Sequence, residues 1–173
     1  GSITVGRIAG PVVASTGSGG IEVTGAASLS ARSGSGSIEA TAVAGATTAK
    51  TGSGSLRISQ TGKGDVDASS SSGEVVVTGV DGAARVSASS GGVHVEGRPA
   101  GPWNVHSSSG RVVLQIPADA AFDLDARASS GRIESAHPIT VTGRVDRQRL
   151  QGTVRGGGAL VEVRSSSGGI RIQ

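Results

Sequence analysis

The chain has 173 residues, a formal charge of +3, thirty glycines, no cysteine, one Trp, one Phe, no Tyr and no Met. It can form no disulfide framework or thiolate metal site, it has no apolar run approaching the ~20 residues of a membrane helix, and its charge is too small to argue for nucleic acid. With so few aromatics a sandwich or barrel core is disfavoured, and the strict placement of Ile, Val, Leu and Ala argues for a thin ordered core rather than disorder.

Gly1-Ser2-Ile3-Thr4-Val5 opens a pattern that returns roughly every eighteen residues, the mark of a stacked solenoid. Its signature is a Ser-Gly pair: Ser18-Gly19, Ser35-Gly36, Ser53-Gly54, Ser72-Gly73, Ser90-Gly91, Ser109-Gly110, Ser130-Gly131 and Ser167-Gly168. Two residues after each glycine stands Ile21, Ile38, Leu56, Val75, Val93, Val112, Ile133 or Ile170. Four after it stands Val23, Ala40, Ile58, Val77, Val95, Leu114, Ser135 or Ile172. The residues between are mostly polar (Glu22, Glu39, Arg57, His94, Glu134, Arg171), so this is a strand with one buried face.

A second strand precedes each glycine, carrying Val12, Leu29, Thr47, Val66, Ala84, Trp103, Leu124 and Val161 seven residues before it, and mostly Ala or Val five before it. Three before it only small residues occur, so the wedge tapers toward a corner. The stacked serines predict coil-to-coil hydroxyl hydrogen bonds, and the glycines predict positive φ at that corner. A repeated serine without a general base in reach is structural rather than catalytic. The third side of each coil varies most and holds Pro99, Pro102 and Pro117, which predicts an irregular arc. Trp103 is expected to fill space that smaller residues leave elsewhere.

The predicted fold is all-β: a single-stranded parallel β-helix of about nine coils, right-handed by the crossover rule, occupying residues 1–173 as one domain. The repeat breaks at about 138–158. There Arg144-Val145-Asp146-Arg147-Gln148-Arg149 alternates charge and predicts a protruding hairpin or a covering flap. Stacking then resumes at Ala159–Val163, and the stack is expected to end on Ile170-Arg171-Ile172 with an open backbone edge. The first coil is expected to be equally open, and self-association through these ends is one predicted behaviour.

The C-terminal run Ile139-Thr-Val-Thr-Gly-Arg, then Gly152-Thr-Val-Arg-Gly-Gly-Gly, then Leu160-Val-Glu-Val-Arg-Ser-Ser-Ser-Gly-Gly-Ile-Arg-Ile172 resembles the ending of the bacterial "putative adhesin" β-solenoid domains. The resemblance spans nearly the whole chain. It implies a parallel β-helix in an extracytoplasmic protein of the cell envelope, at the periplasm or cell surface, tethered by a segment absent from this chain. It brings no catalytic residues.

Chemistry-bearing residues are sparse. Glu22 and Glu39 should be stacked neighbours, as a β-helix lyase or hydrolase acting on polysaccharide would need. Arg57 on the next rung makes a charge-balanced ladder the simpler expectation, and aromatic sugar platforms are missing. Gly62-Lys63-Gly64-Asp65-Val66-Asp67 is one faint copy of a calcium-binding nonapeptide, which needs several copies to complete a site. His94, His106 and His137 share no ligand spacing and are expected at the solvated surface. Asp119, Asp123 and Asp125 lie near Arg127, which suggests surface pairing. No cofactor or metal is expected.

Two basic features remain as candidate contacts. One is an interrupted stripe, Arg32, Lys50, His106 and Arg127 (with Arg164), four residues before the Ser-Gly glycine. The other is the flap, Arg144, Arg147, Arg149 and Arg155. The expected partner is a protein or an anionic envelope glycan, teichoic acid or lipid headgroup. The expected role is that of a non-enzymatic scaffold.

Overall fold

The computed structural model describes residues 1–141 and 146–173. Among them every regular element is a strand, and nearly all pairings are parallel. The alternation read from the sequence sets the walls. On the first wall Ile3, Ile21, Ile38, Leu56, Val75, Val93 and Val112 are successive parallel partners. On the second wall Val12, Leu29, Thr47, Val66, Ala84 and Trp103 stack in the same way. The inward columns form one continuous core, in which Leu56, Ile58 and Leu114 are wholly buried. Each such side chain contributes ~1.5–3 kcal/mol over its exposed state. Trp103 is buried between the Ala84 and Val161 rungs and donates its indole N–H to the Gly82 carbonyl at 3.0 Å.

The third side is more ordered than the prolines suggest. A short ladder runs through Ile8, Ala26, Val43 and Gln60, and another pairs Val80–Gly82 with Gly97–Pro99. Positive φ falls at the entrance to this side, at Gly25 (75°), Ala42 (57°) and Gly79 (74°), and not at the Ser-Gly corner.

The Ser-Gly glycines therefore have another cause. A Cβ on Gly36, Gly54, Gly73, Gly91 or Gly110 would sit well under 3.0 Å from the carbonyl oxygen of the corresponding glycine one rung below. The coils approach too closely at this corner for any side chain. The hydroxyl relay also differs from expectation. It is made not by the serine beside each glycine but by the residue three before it. The Ser33 Oγ accepts from Gly36 N–H at 2.8 Å and donates to the Gly19 carbonyl at 3.0 Å. The same relay is seen at Thr51 and Ser70. The small column is thus the bonded one, because it points into the corner while the neighbouring serine points to solvent.

About six turns follow one another regularly, from Ile3 to Val112; the expectation of nine sequential coils overcounts them. Beyond Val112 the order of the stack departs from the order of the chain. Val112 pairs with Ile170, and Ile170 pairs in turn with Ile133. On the second wall Trp103 pairs with Val161, and Val161 with Leu124. The chain climbs past one empty rung, reverses, and fills that rung with its last residues. Ile170-Arg171-Ile172 is therefore not an open edge: it lies between two strands, with Ile170 and Ile172 buried.

The reversal is made by the segment that breaks the repeat. Arg149–Val154 runs antiparallel to Phe122–Ala128, and Thr140–Val141 pairs outside it. Gln148 binds the stack through its backbone carbonyl, which accepts from Ala128 N–H at 2.8 Å, and through its amide, which donates to the Ser129 carbonyl at 2.8 Å. Arg155, Gly156 and Gly157 all have positive φ (50°, 88° and 84°), and this left-handed turn sends the chain back into the gap. His137, expected at the surface, is buried and meets Phe122 edge to face at 5.6 Å, because both close the core beneath this cap.

Candidate functional site

The outward column of the second wall carries the predicted basic stripe, and the C-terminal rung rearranges it. Arg32 and Lys50 are neighbours, then Ser69 and Ser87 interrupt. Next, His106 pairs with Arg164, Arg164 with Arg127, and Arg127 with Arg149 of the antiparallel strand. Four basic rungs are thereby contiguous and exposed, where chain order alone would set Arg127 beside His106.

The column beside them balances part of this charge. Arg164 pairs with Glu162, and Asn104 also donates to Glu162. Arg127 reaches Asp125 at 2.7 Å; that hydrogen bond and the charge behind it hold the guanidinium above its ordinary value. Lys50 lies 3.6 Å from Asp67. Among the described residues the Arg149 guanidinium donates only to the Gln151 amide oxygen, at 3.3 Å.

The flap arginines separate. Arg144 lies outside the described residues. Arg147 is exposed at the turn between Asp146 and Arg149, and its carbonyl accepts from Ile133 N–H at 3.3 Å, on the side of the first wall. Arg155 is tied down: its Nε donates to the Ala118 carbonyl at 2.7 Å, fixing the turn. The surface thus brings His106, Arg164, Arg127 and Arg149 together and sets Arg32, Lys50, Arg147 and Arg155 apart.

The remaining acidic groups are dispersed over the walls. Glu22 and Glu39 are stacked neighbours with Arg57 on the next rung. Asp65 accepts from Ala83 N–H at 3.0 Å, and Asp123 accepts from the Thr153 hydroxyl at 3.1 Å. Asp119 is clasped by Arg98 at 2.6 Å, which lowers its carboxyl below the usual range, chiefly through the hydrogen bond, and raises Arg98. Among the described residues no group of three or more His, Cys, Asp or Glu is placed to hold a metal ion.

The repeat pattern hid one signal that the charges carry when counted along the chain. Gly1–Gly110 holds seven basic and seven acidic residues, whereas Arg111–Gln173 holds nine and six. The whole excess of +3 sits at the end that the cap closes. It includes Arg111, Arg132 and Arg171 on the first wall, which the repeat-based reading did not single out.

The family model described as Toastrack DUF4097 matches residues 3–173. A structure from Clostridium sporogenes described as that of "a putative cell adhesion protein" is similar, with a TM-score of 0.47 and 14% identity. The match covers 73% of this chain and 55% of that one, so the chain spans about half the neighbour's length. A likeness of this size carries nothing about function. No curated protein matches the chain by sequence.

Proposed function

We propose, for a chain that belongs to the Toastrack DUF4097 family, a non-enzymatic role in the bacterial cell envelope: an extracytoplasmic, adhesin-like scaffold whose polar walls meet an anionic envelope polymer. The observation that supports it is the axial segregation of charge, with the excess gathered on stacked, exposed arginines at one end of a rigid rod. Guanidinium groups at rung spacing, ~4.8 Å apart, match a polymer with repeated anionic groups better than a single small ligand. Exposed contacts of this kind are weak singly and screened by salt.

The test is co-sedimentation of the domain with cell-wall sacculi at low and high ionic strength. Binding is expected at low salt, with loss at high salt and weakening in Arg127→Gln/Arg149→Gln. Binding that is unchanged by salt, or absent at both, overturns the anionic contact and leaves a partner protein as the target.

One observation favours a second reading. Among the described residues Ile8–Thr16 pairs with Ile21–Ser33 alone and displays Ile8 and Val13 to solvent, an edge able to take a strand from a second copy. A mass independent of concentration in sedimentation equilibrium would exclude it.

A further inference from the structure

We propose that the notch over Gly169 on the first wall is an oxyanion site for the phosphate groups of a phosphodiester polymer, formed by Arg111, Arg132 and Arg171. The out-of-order rung creates it. Val112, Ile170 and Ile133 are successive partners, so the preceding residues Arg111, Gly169 and Arg132 form one outward column. Two arginines 21 positions apart in the chain thus face each other across a rung supplied by a third segment. They stand about 10 Å apart along the wall, within reach of a common ligand through their long side chains.

Gly169 leaves the space between them empty. Conformation does not require a glycine here, since its φ is not positive, and an added Cβ would meet the Arg132 carbonyl at 3.3 Å, a tight contact but not the overlap below 3.0 Å found at the Ser-Gly glycines. That separates it from the Ser-Gly glycines, where no side chain fits. The resulting depression measures about 140 Å³ and is lined by Arg111, Arg132, Arg171, Glu134, Gly169 and Ile170.

The charges favour an anion. Arg171 is held by Glu134 at 3.0 Å, whereas Arg111 and Arg132 are exposed and make no ion pair among the described residues. The three arginines and one carboxylate leave two positive charges over a 140 Å³ depression. Planar guanidinium forks match the tetrahedral oxygens of phosphate and supply paired N–H donors. The carrier, an envelope phosphodiester polymer, rests on the function proposed above; the oxyanion site itself does not.

The experiment titrates the intact domain with inorganic phosphate and with poly(glycerol phosphate), following backbone amide and arginine side-chain resonances. Shifts centred on Gly169, Arg111 and Arg132 are expected. They should weaken by about tenfold in Arg111→Gln/Arg132→Gln. They should vanish in Gly169→Glu, which fills the notch with a carboxylate, and persist in Arg127→Gln/Arg149→Gln on the second wall. Unchanged thermal unfolding certifies each fold. Absence of shifts at Gly169, or shifts indifferent to the double substitution, overturns the site.

Phosphatidylglycerol vesicles form the second arm: binding to vesicles without binding to poly(glycerol phosphate) overturns the polymer. Sacculus binding lost in Arg127→Gln/Arg149→Gln but kept in Arg111→Gln/Arg132→Gln, without shifts at Gly169, removes this site and leaves the envelope role standing. Phosphate shifts at Gly169 without any sacculus binding do the reverse.

Discussion

Substituting Gly73 by alanine tests why the repeat needs its glycine. Gly73 is buried, and its added Cβ would meet the Gly54 carbonyl oxygen and carbon and the Ser55 nitrogen, all under 3.0 Å and all backbone. Ordinary contact begins near 3.4 Å, so the corner must open. Opening strains the relay in which Ser70 Oγ accepts from Gly73 N–H and donates to the Gly54 carbonyl, both at 2.9 Å. Two hydrogen bonds at ~1 kcal/mol each and one orphaned carbonyl give a loss of about 3–4 kcal/mol. Gly92→Ala is the control, since its Cβ makes only ordinary contacts, with the Arg111 carbonyl at 3.5 Å and Glu74 Oε1 at 3.8 Å. It should match or slightly exceed wild-type stability, by up to ~0.5 kcal/mol, because it restricts the unfolded chain. Gly73→Asn separates the causes: were positive φ the reason, Asn would be tolerated better than Ala, whereas crowding makes both equally damaging. Urea unfolding followed by far-UV circular dichroism reads all three. A Gly73→Ala protein within 1 kcal/mol of wild type, or rescue by Asn, refutes the stacking explanation.

Further outcomes follow from the same geometry. Ser70→Ala should cost about 1–2 kcal/mol in urea unfolding, whereas Ser72→Ala, whose side chain makes no hydrogen bond, should stay within ~0.5 kcal/mol. Ala42→Gly should be neutral or stabilising by up to about 1 kcal/mol, because Ala42 is exposed and holds a φ of 57° that its Cβ disfavours. Native-state hydrogen exchange should find the Ile170 amide, bonded to the Arg132 carbonyl at 2.9 Å, among the protected central rungs. Fast exchange there would contradict the inserted order. The Asp119 carboxyl, lowered chiefly by its hydrogen bond from Arg98, contributes fully above its unfolded pKa, and that contribution is lost as pH falls through the folded value. Its resonance should titrate below that of an ordinary aspartate, and Arg98→Gln should return it.

The walls were legible in the sequence because period-two alternation repeated through every coil leaves only one register in which Ile21, Ile38 and Leu56 all face inward. The family was legible from the Gly-Gly-Gly ending and the repeats around it. The cause of the Ser-Gly glycine was not. A glycine kept for φ and one kept for close approach read alike in a sequence, and only the distance to the rung below tells them apart. The rung order was hidden for a related reason. Ile133 and Ile170 occupy equivalent repeat positions, and nothing local says which of them Val112 meets. The basic surface inherited that ambiguity: Arg127 and Arg164 were visible as members of a stripe, but their order, and the Arg111–Gly169–Arg132 column, depend on the swap. His137 was misplaced because its burial comes from the cap, which lies outside the repeat.

The inserted rung has a consequence for how the chain can be made. In an ordinary solenoid each coil docks on the one before it, so folding can follow the ribosome and trimming an end merely shortens the rod. Here the seat between Val112 and Ile133 is left vacant until residues 159–173 emerge. A nascent chain carries the cap before it carries the rung beneath it, and Ile133–Ser135, which among the described residues pairs with that rung alone, stays unpaired until it arrives. Loss of that segment opens a gap inside the rod, with the Val112–Leu114 and Ile133–Ser135 edges bared to each other and to any other strand nearby. Arrival of residues 159–173, and not of the first coils, is then the event that closes the stack.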